Sequence, residues 1–244
     1  MTYSPGQDVI RISAPIAETL RRRVRDRGAA PLITYYDVGS GERTELSATT
    51  FANWVNKTSN LLVDELDIAA GDAVTLAVAD AHPGHWVTLI WELACWQVGA
   101  EVQIGRSTPA SVLVIGPDTG WSAPGGTVVV ACSLHPLGLP SPAGRGDVLD
   151  YNLEVRGQAD QFAATRQPAD AAAWRDAERT ATQAELVAFA AGAAARRLVI
   201  PADPWTTAQQ ALVTPLVTGG STVIVSGPAT SEQLDRIRTS ERAV

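Results

Sequence analysis

The amino-acid sequence predicts an α/β fold of three layers, a parallel or mixed sheet covered by helices on both faces. Helical and strand periodicities alternate most cleanly between Leu46 and Gly105. Within that stretch Ala73 to Ala79 (AVTLAVA) is apolar on both faces, the pattern of a central strand shielded from either side. Two strand–helix–strand units follow one another with short connections, which implies parallel or mixed pairing. With 244 residues, 45% of them hydrophobic, the chain has the size and the apolar content for one α/β domain over residues 1–244.

From Ala14 to Arg27 the residues Ile16, Leu20 and Val24 recur every fourth position, the stripe of an amphipathic helix. Arg21, Arg22, Arg23 and Arg25 lie largely off the stripe; with Glu18 and Asp26 among them they read as a solvated face rather than a phosphate patch. Leu32 to Tyr36 and Arg43 to Leu46 flank the turn Asp37 to Gly41 and form a hairpin. Ser47, with Thr50 as competitor, caps a helix whose stripe is Phe51, Trp54, Val55, Thr58, Leu61, Leu62 and Leu66. After the Ala73 to Ala79 strand, Pro83 opens a helix with Asp80 near its start, burying Trp86, Leu89, Ile90, Leu93 and Trp96. Gly99 stops it, and Glu101 to Ile104 is a short strand.

The middle of the chain is broken by Pro and Gly. Ser111 to Ile115 and Thr127 to Val130 are apolar runs of strand length, separated by Gly116 to Gly120 and Pro124 to Gly126, and Leu137 to Gly146 is loop. The Arg145-Gly146-Asp147 tripeptide is a chance occurrence in such a loop. Ala184 to Ala195 is expected to be helical from its alanine content, Leu198 to Pro201 a strand, Thr207 to Val217 a helix, Ser221 to Val225 a strand and Glu232 to Arg238 a short helix.

The hairpin, the helix opening at Ser47, the Gly71-Asp72-x-Val74 step, the helix carrying Trp86 and Trp96, and Gly99-Ala100-Glu101-Val102 occur in one order over Pro31 to Gly105. Together they resemble the start of the acyl-adenylate-forming superfamily, the AMP-binding synthetases and ligases. The likeness departs at Gln103-Ile104-Gly105, where the family usually has a proline. A second, weaker likeness is Pro215-Leu216-Val217-Thr218-Gly219-Gly220-Ser221-Thr222-Val223. The resemblance implies an acetyl-CoA synthetase-like N-terminal lobe, without the family's second lobe and C-terminal domain.

It also implies a Ser/Thr/Gly-rich phosphate loop followed by lysine, between the strand near Val148 and the helix near Thr182. Tyr151 to Ala181 stands there with one glycine, Gly157, and no Ser-Gly or Thr-Gly pair. The family uses one lysine beside the phosphates and another on its C-terminal domain; the only lysine here, Lys57, lies inside the first long helix. The expectation is therefore an inactive relative with no catalytic residue, no cofactor and no metal.

Other constellations are incomplete. His82-Pro-Gly-His85 has metal-ligand spacing, with Glu92 and Cys95 beyond it, but no second ligand pair follows, and His85 is expected half exposed at a helix start. Ser133-Leu-His135 lacks a nucleophile elbow. Trp54, Trp86, Trp91 and Trp96 are expected in the core. Trp205, in Pro201-Ala-Asp-Pro-Trp205, falls where the resembled family often has a histidine lining its acyl pocket, so Asp203 and Trp205 are the best candidates for a residual cleft.

A net charge of −7, from 26 acidic against 19 basic residues, argues against wide contact with nucleic acid or anionic lipid. No apolar run reaches the roughly 20 residues that span a bilayer, and the N-terminus lacks a signal-peptide pattern. Cys95 and Cys132 are expected as buried thiols of a cytoplasmic protein. These features favour a non-catalytic protein acting through self-association or a protein partner, with the ligand unknown. The alternatives are a binder of an acyl group, CoA or an adenine nucleotide without chemistry, and an enzyme completed by another chain.

Overall fold

The computed structural model describes residues 16–105, 110–117, 122–123, 125–143 and 146–244. Ala14 and Pro15 of the first expected helix, Gly120 and Pro124 of the expected turns, and Arg145 of the tripeptide lie outside the described residues.

Helix α1 (Ile16–Arg27) leads into the hairpin β1 (Pro31–Asp37) and β2 (Glu42–Ser47). Ser47 then caps α2 (Ala48–Asn60), its Oγ accepting from the Thr50 N–H at 3.1 Å as the sequence predicts. Next come β3 (Ala73–Leu76), α3 (Ala77–Ala81), α4 (Trp86–Val98) and β4 (Glu101–Gln103). Strands β5 (Val112–Ile115), β6 (Val128–Ala131) and β7 (Val148–Asp150) precede α5 (Tyr151–Glu154). The last part holds β8 (Ala172–Arg175), β9 (Thr180–Thr182), α6 (Gln183–Ala188) and β10 (Arg196–Val199). It closes with α7 (Pro204–Thr207), a π-helical stretch (Ala208–Val213), α8 (Thr214–Thr218), β11 (Ser221–Ser226) and α9 (Ser231–Glu241).

The strands divide between two sheets. One has the order β7-β6-β5-β3-β4-β8-β9 and is parallel apart from the β8–β9 pair; the other has the order β10-β11-β1-β2 and is parallel apart from the β1–β2 hairpin. Strand β1 pairs with β11 from Ile33↔Thr222 to Asp37↔Ser226, which joins the β1–β2 hairpin to β10 and β11 in a sheet separate from the larger one. Local periodicity identifies strands but carries no signal for a pairing between the two ends of a chain, so the split into two sheets is new information.

Helix α4 is buried at all 13 of its positions. A helix that is apolar all round belongs inside the fold, between other layers. Trp96 Nε1 donates to the Ala173 carbonyl of β8 at 2.8 Å, and Gln97 Nε2 donates to Ser59 Oγ of α2 at 3.0 Å. One hydrophobic cluster accordingly runs from Leu32 and Ile33 of the smaller sheet through α4 to Val74, Val102 and Val112 of the larger.

Several elements differ from expectation; the strand expected over Leu198 to Pro201 lies at Arg196–Val199, and the helix expected over Thr207 to Val217 runs from Pro204 to Thr218 with a π-helical middle. The strand from Ala73 stops at Leu76 and turns helical at Ala77, because an apolar alanine-rich run suits either state and alanine favours the helix. Helix α4 begins at Trp86 rather than Pro83, and its cap is His85 rather than Asp80, with Nδ1 accepting from the Val87 N–H at 3.1 Å. Helix α6 ends at Ala188, well short of Ala195; the segment beyond it is largely exposed, so propensity has no buried face to support it, and Gly192 takes φ +104°.

Candidate functional site

The stretch between β7 and α6 is where the sequence resemblance implies a phosphate loop. Asp150 caps α5 by accepting from the Asn152 N–H at 2.9 Å, and a single 3₁₀ turn, Val155–Gly157, follows. The chain then lies extended across α2. Asn60 Nδ2 donates to the carbonyls of Ala159 and Gln161 at 2.9 and 3.0 Å, and Asn56 Nδ2 to that of Asp160 at 2.9 Å. Lys57 donates to the Gln158 carbonyl and pairs with Asp160 at 3.0 Å. The chain's only lysine thus fastens this strap.

Beyond the strap, β8 and β9 form an antiparallel hairpin with a tight turn, in which the Asp176 N–H donates to the Arg179 carbonyl at 2.9 Å. The Asp176 carboxylate folds back over the turn. Its Oδ1 accepts from the backbone N–H groups of Glu178 and Arg179, both at 2.8 Å, while Oδ2 accepts from Trp174 Nε1 at 2.8 Å and lies 3.3 Å from Arg179 Nε. A nest of backbone N–H groups is what binds a phosphate. Here a carboxylate from the same turn fills it.

Trp205 and Asp203 sit beside this turn. The Arg179 guanidinium lies 5.3 Å from the Trp205 ring centroid, within cation–π range. Trp205 meets Trp174 edge-on at 5.3 Å and Phe189 edge-on at 5.4 Å, and is itself only 8% exposed. Phe189 is 62% exposed and forms the outer side of the stack. Asp203 caps α7, accepting from the Thr206 N–H at 3.0 Å. Partial burial opposes its ionisation, but the bonds from Thr206 and the nearby charge of Arg179 outweigh it and hold its pKa below the usual carboxylate value.

The two residues singled out from sequence are therefore neighbours in a cluster, each with a structural partner. Sequence reasoning missed Trp174, Asp176 and Arg179. The available signal was an Asp opening a four-residue turn between two short runs of strand composition, Ala172–Arg175 and Thr180–Thr182.

The remaining constellations are held elsewhere. His85 is 4% exposed, not half exposed, and packs 4.8 Å from the Tyr35 ring; burial, aided by the charge of His82, pushes its pKa down to about 3. Its burial follows from its place at the head of α4, between the sheets. Glu92 is fully buried, with no hydrogen-bond partner for either oxygen among the described residues, and desolvation raises its pKa well above the usual value. Cys95 and Cys132 are buried free thiols raised in pKa by burial. Among the described residues no group of three or more His, Cys, Asp or Glu comes together to hold a metal ion, and no helix is long and apolar enough to cross a membrane. His135 Nδ1 accepts from the Leu137 N–H at 3.1 Å, while Ser133 Oγ contacts Asn152 Oδ1 at 3.2 Å, so the two side chains do not form a nucleophile–base pair.

The fold is that of an α/β protein with the architecture of an acyl-CoA synthetase N-terminal lobe. Solved structures with this fold include an acyl-CoA synthetase from Brucella canis (TM-score 0.73, 16% identity, 94% of this chain and 46% of that one) and an acetoacetyl-CoA synthetase from Streptomyces lividans (TM-score 0.71, 17% identity, 94% and 41%). A fatty acyl CoA synthetase of Mycobacterium tuberculosis is a further example (TM-score 0.66, 14% identity, 94% and 48%). The chain spans about half the length of these synthetases or less. No family model matches it. It is 35% identical over 222 residues to a TIGR03089 family protein of Mycobacterium tuberculosis, covering 86% of this chain and 89% of that protein. The chain belongs to the TIGR03089 family.

Proposed function

We propose that this chain is a non-catalytic protein on an acyl-CoA synthetase-like scaffold, acting in the cytoplasm through a protein partner or a second copy of itself. The observation that carries this reading is the Asp176–Arg179 turn. A phosphate loop works by leaving backbone N–H groups free to converge on phosphate oxygens. In this turn the N–H groups of Glu178 and Arg179 are taken by Asp176, whose own charge repels an incoming phosphate. A tethered carboxylate competes at the effective concentration of an intramolecular group, which dissolved nucleotide does not match. Lys57, the only lysine, is committed to the strap.

Action by association is supported by large apolar side chains left exposed at Leu137, Leu139, Leu153, Phe189 and Ile200. The buried free thiols Cys95 and Cys132 suit a reducing compartment. The test is ATP–pyrophosphate exchange with acetate and longer carboxylic acids. No exchange above background is expected, and exchange by the isolated chain overturns the reading. Size-exclusion chromatography with light scattering tests association: a mass above one chain supports a second copy, and a strict monomer at every concentration removes it.

A further inference from the structure

The arginine run of α1 is not absorbed by this reading. The C-terminal part of α1, the start of β10 and the link from α8 to β11 line a groove of about 360 Å³. Arg23, Arg27 and Arg196 line it, with the backbone of Gly219, Gly220 and Ser221. An adjoining hollow of about 240 Å³ shares Arg23, Arg27 and Gly219 and adds Arg22 and Asp26. In a chain of net charge −7, four arginines and one aspartate line these two adjoining hollows, with Arg23 and Arg27 common to both.

The local carboxylates leave part of this charge unmatched. Asp26 pairs with Arg25, at 3.3 Å, and Arg196 pairs with Glu241 and with Glu45. Among the described residues no carboxylate lies in ion-pair range of Arg22 or Arg27. Arg23 is 6% exposed; it donates to the carbonyls of Arg27 at 2.8 Å and Pro31 at 3.1 Å, and its buried Nε has no partner. Burial and then the neighbouring charge of Arg27 lower its pKa, as expected for two cations without a counter-ion between them.

Helices α1 and α8 both end at the groove, and each C-terminus offers about half a negative charge. Arg23 answers one carbonyl of α1, that of Arg27, and one of β1, that of Pro31, while among the described residues the forks of Arg22 and Arg27 have no carboxylate in ion-pair range. Guanidinium forks bind tetrahedral oxyanions bidentately, and a multiply charged anion relieves the repulsion between neighbouring arginines where a single carboxylate relieves less. We propose that the α1–β10–β11 groove and the adjoining α1–α8 hollow, which meet at Arg23 and Arg27, form a binding site for an anionic group of the phosphate class.

The test is isothermal titration of the full chain at low ionic strength with inorganic pyrophosphate, inorganic phosphate and AMP. Saturable one-site binding is expected, weakened about tenfold or more by Arg22→Ala and by Arg27→Ala. Arg27→Lys, which keeps the charge but loses the fork, is expected to fall between. Arg21→Ala and Arg25→Ala, on the same helix but already paired with Glu18 and Asp26, should bind like the wild type. Neither Arg22 nor Arg27 is buried, and circular dichroism verifies that each variant is folded. Tighter binding of AMP than of phosphate identifies a nucleotide as the source of the group, and equal or weaker binding identifies free phosphate. Absence of saturable binding by the wild type, or equal weakening by Arg21→Ala and Arg25→Ala, overturns the proposal. Neither result bears on pyrophosphate exchange, so the failure of this inference is distinct from failure of the non-catalytic reading.

Discussion

Helix α4 and the β8–β9 turn are both rich in residues that ordinarily perform chemistry, and they dispose of them in opposite ways. Around α4, burial withholds the solvation that charge requires, lowering the pKa of His85 and raising that of Glu92, which has no hydrogen-bond partner among the described residues. In the turn, Asp176 and Arg179 pair with each other while Asp176 also takes two backbone N–H groups and an indole. One region silences its ionisable groups by desolvation and the other by internal pairing. A list of residue types cannot distinguish either case from an active site; partners and burial can.

The largest effect should come from α4. Trp96→Ala removes a fully buried indole and its bond to Ala173, and is expected to destabilise the fold by about 4 kcal/mol. Urea denaturation measures this, and a loss below about 1 kcal/mol would contradict the packing of α4 between the sheets.

Glu92 sharpens the comparison through pH. Its folded pKa is raised, so the folded state holds a proton that the unfolded chain releases above about 4.5. Stability is therefore greatest below that value and falls as pH rises toward the folded pKa, with a slope of up to about 1.4 kcal/mol per unit. Glu92→Gln should flatten the profile, so that its stability relative to wild type improves from pH 5 to pH 8. Parallel profiles would mean that Glu92 finds a charged partner after all.

The turn can be compared with an ordinary hairpin in the same protein. At Asp37 the carboxylate accepts from the Gly39 N–H and from Ser40 Oγ, both at 2.8 Å, and closes the exposed β1–β2 turn. Asp176 uses the same device with a buried indole and an arginine added. Asp176→Ala should cost about 2 kcal/mol, because it strands Trp174 Nε1, whereas Asp37→Ala should cost about 0.5–1 kcal/mol. Equal costs would show that the aromatic cluster is held without Asp176.

Much of this was legible from local pattern. Ser47 as a cap, the hairpin and the helix with Trp86 and Trp96 follow from side-chain spacing alone, and the spacing survives because packing and local propensity agree there. The pairing of β1 with β11 was not legible, since register over that separation depends on tertiary contacts. Nor was the filling of the nest by Asp176. Sequence shows an acid in a turn, but whether its oxygens face solvent or its own backbone is set by φ and ψ.

The smallest expected effect tests the candidate cleft itself. Asp203 was selected as a site residue, yet in the structure its carboxylate caps α7. A cap accounts for the residue fully if Asp203→Ala costs about 1 kcal/mol and Asp203→Asn, which also caps helices well, costs much less. Because its folded pKa lies below the usual 3.8, the charge-dependent part of its contribution is present above that pH and is lost as pH falls through the folded value. The Asn variant should lack that acid-side loss while keeping the cap, which thermal unfolding between pH 2 and pH 7 detects. If Asp203→Asn instead matches wild type in stability at every pH but changes binding of a partner, the carboxylate faces outward in its working state, and the turn beside it would be a recognition surface as well as a structural turn.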